Sequence, residues 1–321
     1  MDHGGGRGGI GRLTLLPRSL NTKANLSFVS IGSLVFLMSA PKAASAQIYE
    51  SIGIRAQGMG GAFVAVSDDA TTTWWNPAGL AGGGYFNSVI EFDRVDHPSG
   101  TRARAFALNV PSLGLSYYRL ALNGMRPPDP TEPPSANRED QGVLSQFGVT
   151  VGQSVGAHLI VGSTLKLMHA LGETSGDLDM GAMATFSRVR LGLAAKNLRT
   201  PEFSEGDASL ELPRQVRVGA SIRGGSPSRA EILGAVDADL TTTPTAVGDE
   251  RHLATGVEAW LANRALGLRA GVGMNTIGES RRSGSVGVSV GLRGGSFLDA
   301  QLTRGADEAR NGWGIALRLT F

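Results

Sequence analysis

The nine residues "WGIALRLTF", numbered 313–321, place an apolar side chain at every second position. These apolar positions are Trp313, Ile315, Leu317, Leu319 and Phe321. A period of two is typical of a β-strand whose two faces meet different surroundings. We therefore predict a strand here that presents all five apolar side chains on one face.

The same alternation recurs throughout the preceding sequence. It is clearest in "RQVRVGASIR" (214–223), "ALGLRAGVGM" (265–274) and "SVGVSVGLR" (285–293). Strands that cross a bilayer at a tilt need about 9–11 residues, and these segments have that length. The pattern predicts fourteen strands, near residues 84–95, 101–109, 112–122, 143–152, 157–169, 177–186, 189–198, 214–223, 230–240, 251–261, 264–274, 282–293, 297–304 and 312–321.

The connections between the predicted strands separate two possible architectures. Alternation alone also fits a soluble β-sandwich, whose apolar face packs inward. The connections, however, alternate between short turns and generally longer loops, such as 123–141, 200–213 and 241–250. Outer-membrane barrels have short turns on the periplasmic side and longer loops outside. We therefore predict an all-β fold, a fourteen-stranded antiparallel transmembrane β-barrel of the outer membrane formed by residues 84–321.

The last predicted strand also indicates how the barrel is assembled. A chain that ends on an aromatic residue, with apolar residues at every second place before it, has the pattern that the outer-membrane barrel assembly machinery recognises. We expect residues 313–321 to be this signal and their apolar face to meet outer-membrane lipid.

The first 46 residues have the features of a secretory signal peptide. Basic residues precede an apolar run over 26–40, and Ala44 and Ala46 stand where signal peptidase prefers small side chains. The alternative is a membrane anchor, but a spanning helix needs about twenty apolar residues. We predict that residues 1–46 are cleaved after Ala46 on export and that the mature chain resides in the outer membrane.

Composition excludes several classes of protein. The predicted leader holds five of the 30 basic and one of the 28 acidic side chains, so the mature chain carries 25 basic and 27 acidic groups, a formal charge of −2. This balance gives no basic footprint for nucleic acid. The absence of cysteine excludes disulfides and thiolate metal sites. The histidines lack metal-helix spacing and no serine–histidine pair suits a nucleophile, so we predict no metal, no cofactor and no catalysis.

The strand faces opposite the apolar ones carry charges of both signs. In a barrel these positions line the lumen, where unpaired buried charge is costly. We expect them either to pair and stiffen the barrel or to line a polar permeation path. The residues are Lys166, Arg190, Lys196, Arg217, Asp237, Asp239, Glu258, Arg269, Arg293, Asp299 and Arg318.

Residues 47–83 precede the first predicted strand and include the glycine-rich stretch "GMGGAFVAVSDDATTTWWNPAGLAG" (58–82). The segment is too short for a separate domain and too apolar to float in the periplasm. We predict that it lies inside the barrel as a hatch.

A short helix is expected within this segment. Asp68 or Asp69 would cap its start, and it would run to Trp74. Pro77 and Gly79 would then end it and turn the chain towards the wall.

The stretch "RAQGMGGAFVAVSDDATTTWWNPAGLA" (55–81) resembles the N-terminal signature of the FadL-like outer-membrane superfamily. This superfamily includes transporters of fatty acids and hydrocarbons and the PorV/PorQ proteins associated with type IX secretion. The shared marks are "GMGGAF", the "DDA" acids and the "NPAGL" turn. The resemblance implies fourteen strands with an N-terminal hatch in the lumen.

The resemblance also implies roles for individual residues. Asn76, Pro77 and Ala78 would form the hatch turn, and Trp74 and Trp75 its packing or ligand surface. The alternative is that all five simply wedge the segment in place.

Two functions follow from the resemblance. The first is passage of a hydrophobic small molecule across the outer membrane. The alternative is a PorV/PorQ-like scaffold or shuttle barrel that binds secreted proteins without transporting solutes. The chain is shorter than the fatty-acid transporters and its predicted lumen is charged; these departures argue against fatty-acid uptake and raise the alternative, while passage of a hydrophobic small molecule stays the first expectation.

Overall fold

The structure is a computed structural model. It describes residue 1 and residues 44–45, 52–95, 101–122, 142–205, 208–226, 228–245, 248–306 and 311–321. The predicted signal peptide, apart from residues 1, 44 and 45, lies outside the described residues, and so does the predicted loop 123–141.

Fourteen of the described strands form one closed antiparallel barrel. Neighbours in sequence are neighbours in the barrel, except that β8 pairs with β11 and β17 closes the cylinder against β2. This confirms the predicted count and arrangement of strands. The barrel strands are β2 (Asn87–Val95), β3 (Arg102–Val110), β4 (Leu113–Leu122), β5 (Gly142–Val155), β6 (Leu159–Ala170), β7 (Glu173–Phe186), β8 (Val189–Lys196), β11 (Gln215–Ser226), β12 (Ala230–Asp239), β13 (His252–Leu261), β14 (Leu266–Asn275), β15 (Arg282–Gly291), β16 (Ser296–Gly305) and β17 (Gly312–Thr320).

A second, small sheet includes two strands from the connection between β8 and β11. It consists of β1 (Ala44–Ser45), β9 (Glu202–Glu205) and β10 (Ala208–Glu211), with β10 in the middle. The prediction of a plain loop over 200–213 was therefore wrong. The two strands of this hairpin have only four residues each, too few for the alternation to stand out in the sequence.

The two faces of the barrel differ in composition. One face, here the exposed face, presents apolar side chains; Leu165 is 65% exposed and Leu317 is 45% exposed. The other, here the covered face, is buried and carries most of the polar and charged strand residues, among them Glu258 and Asp237. The alternation predicted from the sequence thus separates an apolar exposed face from a polar covered one.

Residues 52–83, here the pre-barrel segment, run into β2. They contain helix α1 (Ile54–Gly58), helix α2 (Thr72–Trp75) and a 3₁₀ helix (Pro77–Gly82). Up to Leu80 every residue is buried except Gln57, Gly60 and Asp68, which are half-buried. In the described part of the chain, no helix has the length and apolarity to cross a membrane.

Candidate functional site

Carboxylates on the covered face bind the backbone of the pre-barrel segment at two places. Glu91 on β2 accepts hydrogen bonds from the N–H groups of Gly53 (2.8 Å) and Ile54 (3.1 Å), where α1 begins. On β12, one carboxylate oxygen of Asp237 accepts from the N–H groups of Phe63 and Val64, both at 2.7 Å. These bonds satisfy backbone donors that a helix start or a loop leaves open.

Arg55, on α1, is the centre of a buried ion-pair cluster. Its Nε and Nη2 donate to the two oxygens of Glu258 on β13, at 2.8 and 2.6 Å. Its Nη1 donates to Asp68 at 2.5 Å and to Asp69 at 2.9 Å. Asp68 also accepts from Arg223 on β11 at 2.8 Å. The cluster therefore connects the pre-barrel segment to two strands through charge-assisted hydrogen bonds.

The cluster continues along the wall beyond Glu258. Arg269 on β14 donates to Glu258 at 2.7 Å and to Ser289 at 2.6 Å, and Ser289 in turn donates to Asp299 on β16. Arg318 on β17 completes the series by donating to Asp299 at 3.0 Å. Charges of opposite sign thus alternate along β13, β14, β16 and β17, with Ser289 on β15 between them. Each of these four buried charges therefore has a partner.

The pKa values of the two charged groups in the pre-barrel segment follow from these contacts. Burial by itself would raise the pKa of Asp68, but the positive charges of Arg55 and Arg223 outweigh it and hold this pKa well below its usual value. Burial would likewise lower the pKa of Arg55, whereas the surrounding carboxylates Asp68, Glu258 and Asp69 raise it. Both side chains are therefore charged at neutral pH.

Glycines on the covered face bring the wall into contact with the backbone of the pre-barrel segment. A Cβ on Gly271 of β14 would overlap the backbone of Met59, and a Cβ on Gly181 of β7 would overlap the side-chain oxygen of Asn76. At Gly192 of β8 it would lie 2.6 Å from the carbonyl oxygen of Val64. Contact this close excludes any larger side chain at these wall positions.

The "NPA" turn has an internal hydrogen-bond pattern. The Asn76 side chain accepts from the N–H of Ala78 at 3.1 Å and donates to the carbonyl oxygen of Val64 at 2.8 Å. Pro77 occupies the first position of the 3₁₀ helix, where a missing N–H has no cost. All three residues of the turn are buried.

The two tryptophans are buried, Trp74 at 4% and Trp75 at 1% exposure. Trp75 donates its Nε1–H to the carbonyl oxygen of Ile52 at 3.1 Å and packs edge-on against Phe63 with ring centroids 5.9 Å apart. A cavity of about 10 Å³ lies beside both tryptophans and Tyr118. This is room for one water molecule, so in this conformation the tryptophans pack against the wall.

The predicted helix cap is incorrect. α2 begins after Thr71, and Asp69 accepts hydrogen bonds from the N–H and hydroxyl of Thr71 rather than from a helix N–H group. Asp68 and Asp69 instead pair with Arg55, because Glu258 accepts from only two nitrogens of this guanidinium and shares its charge with Arg269, which leaves Nη1 in need of acceptors.

Most of the predicted lumen charges are buried on the covered face and paired. Lys166 on β6 contacts Asp177 and Asp179 of β7, both at 2.7 Å. Arg217 pairs with Asp239 at 2.5 Å across β11 and β12. The remaining members on this face are Lys196, Asp237, Glu258, Arg269, Asp299 and Arg318, which are buried, and Arg190, which is half-buried.

Arg293 does not lie on the covered face. β15 ends at Gly291, and Arg293 is exposed in the turn that leads to β16. The alternation was extended past the end of the strand. Among the aromatic residues of the strands and the C-terminus, Tyr118 and Trp260 are buried on the covered face, while Tyr117, Trp313 and Phe321 are exposed.

Several members of the site were not predicted, among them Arg55, Glu91 and Arg223. Arg55 is a single charge in a glycine-rich, apolar stretch, whereas Glu91 shares the first strand with Asp93 and Arg94. An isolated charge in an otherwise buried segment requires a partner, and this was the available signal. The identity of that partner depends on contacts between residues far apart in sequence.

On the exposed face, an open hollow of about 830 Å³ lies along β5 to β8. Its apolar lining includes Val151, Val161, Met180 and Leu193. The residue pairing of β5 with β6, β6 with β7 and β7 with β8 continues without a gap along this lining. Among the described residues, no group of three or more His, Asp or Glu side chains could hold a metal ion.

Searches by sequence found no matching protein family and no matching curated protein. Solved structures match closely in fold. The toluene transporter TbuX of Ralstonia pickettii superimposes with a TM-score of 0.59 at 12% identity, covering 86% of this chain and 100% of that one. A FadL homologue of Pseudomonas aeruginosa gives 0.56 at 12% identity, covering 84% and 98% of the two chains.

The toluene transporter TodX of Pseudomonas putida gives a TM-score of 0.55 at 9% identity, covering 85% of this chain and 99% of that one. At these identities the likeness establishes the fold, not the activity. The chain has the fold of the FadL-like outer-membrane barrels, which is the fold that the resemblance in residues 55–81 implied.

Proposed function

We propose, from the premise that this chain has the fold of a FadL-like outer-membrane barrel, that it lets a hydrophobic small molecule cross the outer membrane. Residues 47–83 would act as a hatch that closes the lumen in the present conformation. Supporting this proposal are the fold shared with two toluene transporters and the many polar contacts of the pre-barrel segment.

The contacts around the barrel support a position of the hatch inside the lumen. The segment bonds to Glu91 on β2, Asn76 donates to the carbonyl oxygen of Ala182 on β7, and further bonds reach Asp237 on β12 and Gln301 on β16. A segment of this length touches strands all round a closed cylinder most simply from within it. This spread of contacts is the observation that carries the proposal.

The chemistry of the contacts suits a hatch that can move. Its strongest ties are ion pairs and hydrogen bonds to Glu258, Glu91 and Asp237. Water can replace each of these bonds when the hatch shifts, because both partners are polar. Since the strand pairing beside the apolar hollow is unbroken, the route we propose runs along the lumen rather than sideways between β5 and β8.

A disulfide lock tests the proposal. Gly58 on α1 faces Gly287 on β15, since a Cβ on either lies 3.3 Å from the Cα of the other. The chain has no cysteine, so a Gly58→Cys/Gly287→Cys double variant forms no competing disulfide. We expect cells that carry it in their outer membrane to take up labelled toluene when reduced and to lose this uptake when oxidised.

Single variants and a second probe complete the test. Gly287→Cys alone should take up toluene equally under both conditions. Unchanged uptake by the oxidised double variant would show that uptake does not require the hatch to move at Gly58, which contradicts the proposal. No uptake of toluene by the native chain would show that toluene is not a substrate. Labelled palmitate, run in parallel, distinguishes a long-chain acid from a small aromatic compound.

The second candidate is a scaffold or shuttle that binds secreted proteins and transports no solute. The observation that favours it is the density of paired charge on the covered face, together with the water-sized cavity beside Trp74 and Trp75. Deletion of residues 123–141 tests it: secretion of a bound cargo protein should stop, and neither the native chain nor the deletion variant should take up toluene. Normal secretion by the deletion variant would contradict this candidate.

A further inference from the structure

Four arginines lie together on the exposed face of β2, β3 and β4. Arg94 stands directly opposite Arg102, and Arg104 directly opposite Arg119. Arg102 and Arg104 are two residues apart on one strand and therefore share a face. All four side chains are exposed. This set is the arginine patch.

Three of the four arginines, Arg102, Arg104 and Arg119, have no compensating charge from the part of the chain that the structure describes. Side chains directly opposite each other in antiparallel strands have Cβ atoms about 4.5–5.5 Å apart, and like charges at that distance destabilise the pair. Within the residues that the structure describes, Arg102, Arg104 and Arg119 form no ion pair and no side-chain hydrogen bond. An anion from outside the chain would remove this repulsion.

The surroundings of the patch indicate which anion. Two residues along the same face from Arg104, towards the short turn between β3 and β4, lies a row of aromatic side chains. It consists of Phe106, Tyr117 and Phe147 on β3, β4 and β5. Beyond that row the face is aliphatic, with Leu108 opposite Leu115. Aromatic rows of this kind lie at the boundary between the hydrocarbon and the headgroups of a membrane. The arginines, one step further out, therefore lie at headgroup level.

The position of the patch also selects the leaflet. β4 leads from the patch into the longest connection of the barrel, and longer loops of outer-membrane barrels face the outside. We propose that the arginine patch binds the phosphate groups of a bisphosphorylated glycolipid in the outer leaflet. Guanidinium groups bind phosphate in a two-point geometry, and adjacent arginines bridge two phosphates of one headgroup. The acyl chains would run down the face past Phe106 and Tyr117.

Native mass spectrometry of the folded protein in detergent tests this binding. The probes are the bisphosphorylated glycolipid, the same glycolipid with both phosphates removed, and phosphatidylglycerol. The test variant is Arg102→Gln/Arg104→Gln/Arg119→Gln. The matched control, Arg188→Gln/Arg229→Gln/Arg293→Gln, removes three exposed arginines from the short turns at the other end.

We expect the patch variant to bind the bisphosphorylated glycolipid at least about tenfold more weakly than the native protein. The three lost charge-assisted hydrogen bonds together contribute at least the free energy that corresponds to a tenfold change in Kd. The control variant should bind this glycolipid as tightly as the native protein does. The native protein should bind the dephosphorylated glycolipid as weakly as the patch variant binds the bisphosphorylated one. Equal binding by the patch variant, or equal loss in the control, would overturn the proposal.

Two further outcomes decide the remaining points. If phosphatidylglycerol binds the native protein as tightly as the glycolipid, the patch recognises anionic lipid in general and the glycolipid assignment is wrong. The comparison of phosphorylated and dephosphorylated glycolipid uses the native chain alone, so it gives an answer even if the triple variant does not fold. None of these measurements depends on whether the barrel transports a solute.

Discussion

Arg55 and Glu258 are 203 residues apart in the chain, yet Arg55 donates through Nε and Nη2 to both carboxylate oxygens of Glu258, at 2.8 and 2.6 Å. Both side chains are buried. This pair connects α1 to the middle of the wall, and Arg269 shares the same carboxylate. Glu258 is therefore the wall residue on which both neighbouring guanidinium groups depend.

Glu258→Gln should destabilise the protein strongly. The substitution removes the carboxylate that Arg55 and Arg269 share, although Arg55 keeps Asp68 and Asp69 and Arg269 keeps Asp299 at 3.7 Å. Breaking a buried ion pair costs about 3–5 kcal/mol. Thermal unfolding of the protein in detergent measures the effect. Glu231→Gln is the matched control: its partner Arg264 is 44% exposed, so the expected cost is about 0–1 kcal/mol. Equal melting temperatures for the two variants would contradict the prediction.

Asp237→Asn should loosen one stretch of the hatch. The oxygen that accepts from Phe63 and Val64 loses its charge, which weakens two charge-assisted bonds by about 1–3 kcal/mol in all. Hydrogen exchange at the amides of these two residues should become faster. Asp239→Asn removes a carboxylate of the same strand that pairs with Arg217, and it should leave exchange at Phe63 and Val64 as it is. Equally faster exchange at these two amides in both variants would show that Asp237 does not stabilise them through its own hydrogen bonds.

Gly271→Ala should displace the hatch. The new methyl group overlaps the backbone of Met59, which cannot move without shifting the hatch. We expect higher ion conductance of the variant in planar bilayers than of the native protein. Gly234→Ala on β12 is the control, because its methyl group would be 3.9 Å from the nearest atom, Ile222 Cγ2. A Gly271→Ala barrel with native conductance would show that the hatch accommodates the methyl group in place.

Acid should release the contact between Asp68 and its two arginines only at very low pH. The pKa of Asp68 is lowered in the folded protein by Arg55 and Arg223, against burial and the charge of Glu258. Its stabilising contribution is therefore complete above the unfolded pKa of about 3.9 and is lost as the pH falls through the lower folded value. Exchange protection around residue 68 should persist down to about pH 4.

Arg223→Gln tests the cause of this shift. Removing one of the two cations should raise the pKa of Asp68, so protection should be lost at a higher pH than in the native protein. Arg229→Gln, an exposed turn arginine, should leave the midpoint as it is. A midpoint that moves equally in both variants would assign the shift to net charge rather than to the ion pair.

The strands were predictable because their signal is local. Each barrel strand separates an apolar face from a polar one, so alternation is visible in segments as short as nine residues, such as 312–320. The same locality limits the method at the ends of strands. Arg293 continues the alternating pattern of β15 in sequence, but the chain has already turned there.

The partners of the site were not predictable from the sequence. Asp68 and Asp69 resemble helix caps because acids before a short helix usually serve that purpose. Their use as partners of Arg55 depends on a fold that brings β11 and β13 beside the pre-barrel segment. The arginine patch was hidden for the same reason, because Arg104 and Arg119 become neighbours only through strand pairing.

The pairing of β17 with β2 imposes an order on folding. β2 directly follows the hatch, and the cylinder closes only when the last strand of the barrel reaches it. The wall approaches the segment closely at Gly181 and Gly271, so a hatch in the proposed lumenal position could not be inserted through a finished cylinder. On that proposal it would be enclosed as the sheet curls and would serve as a template around which the last seam is sealed.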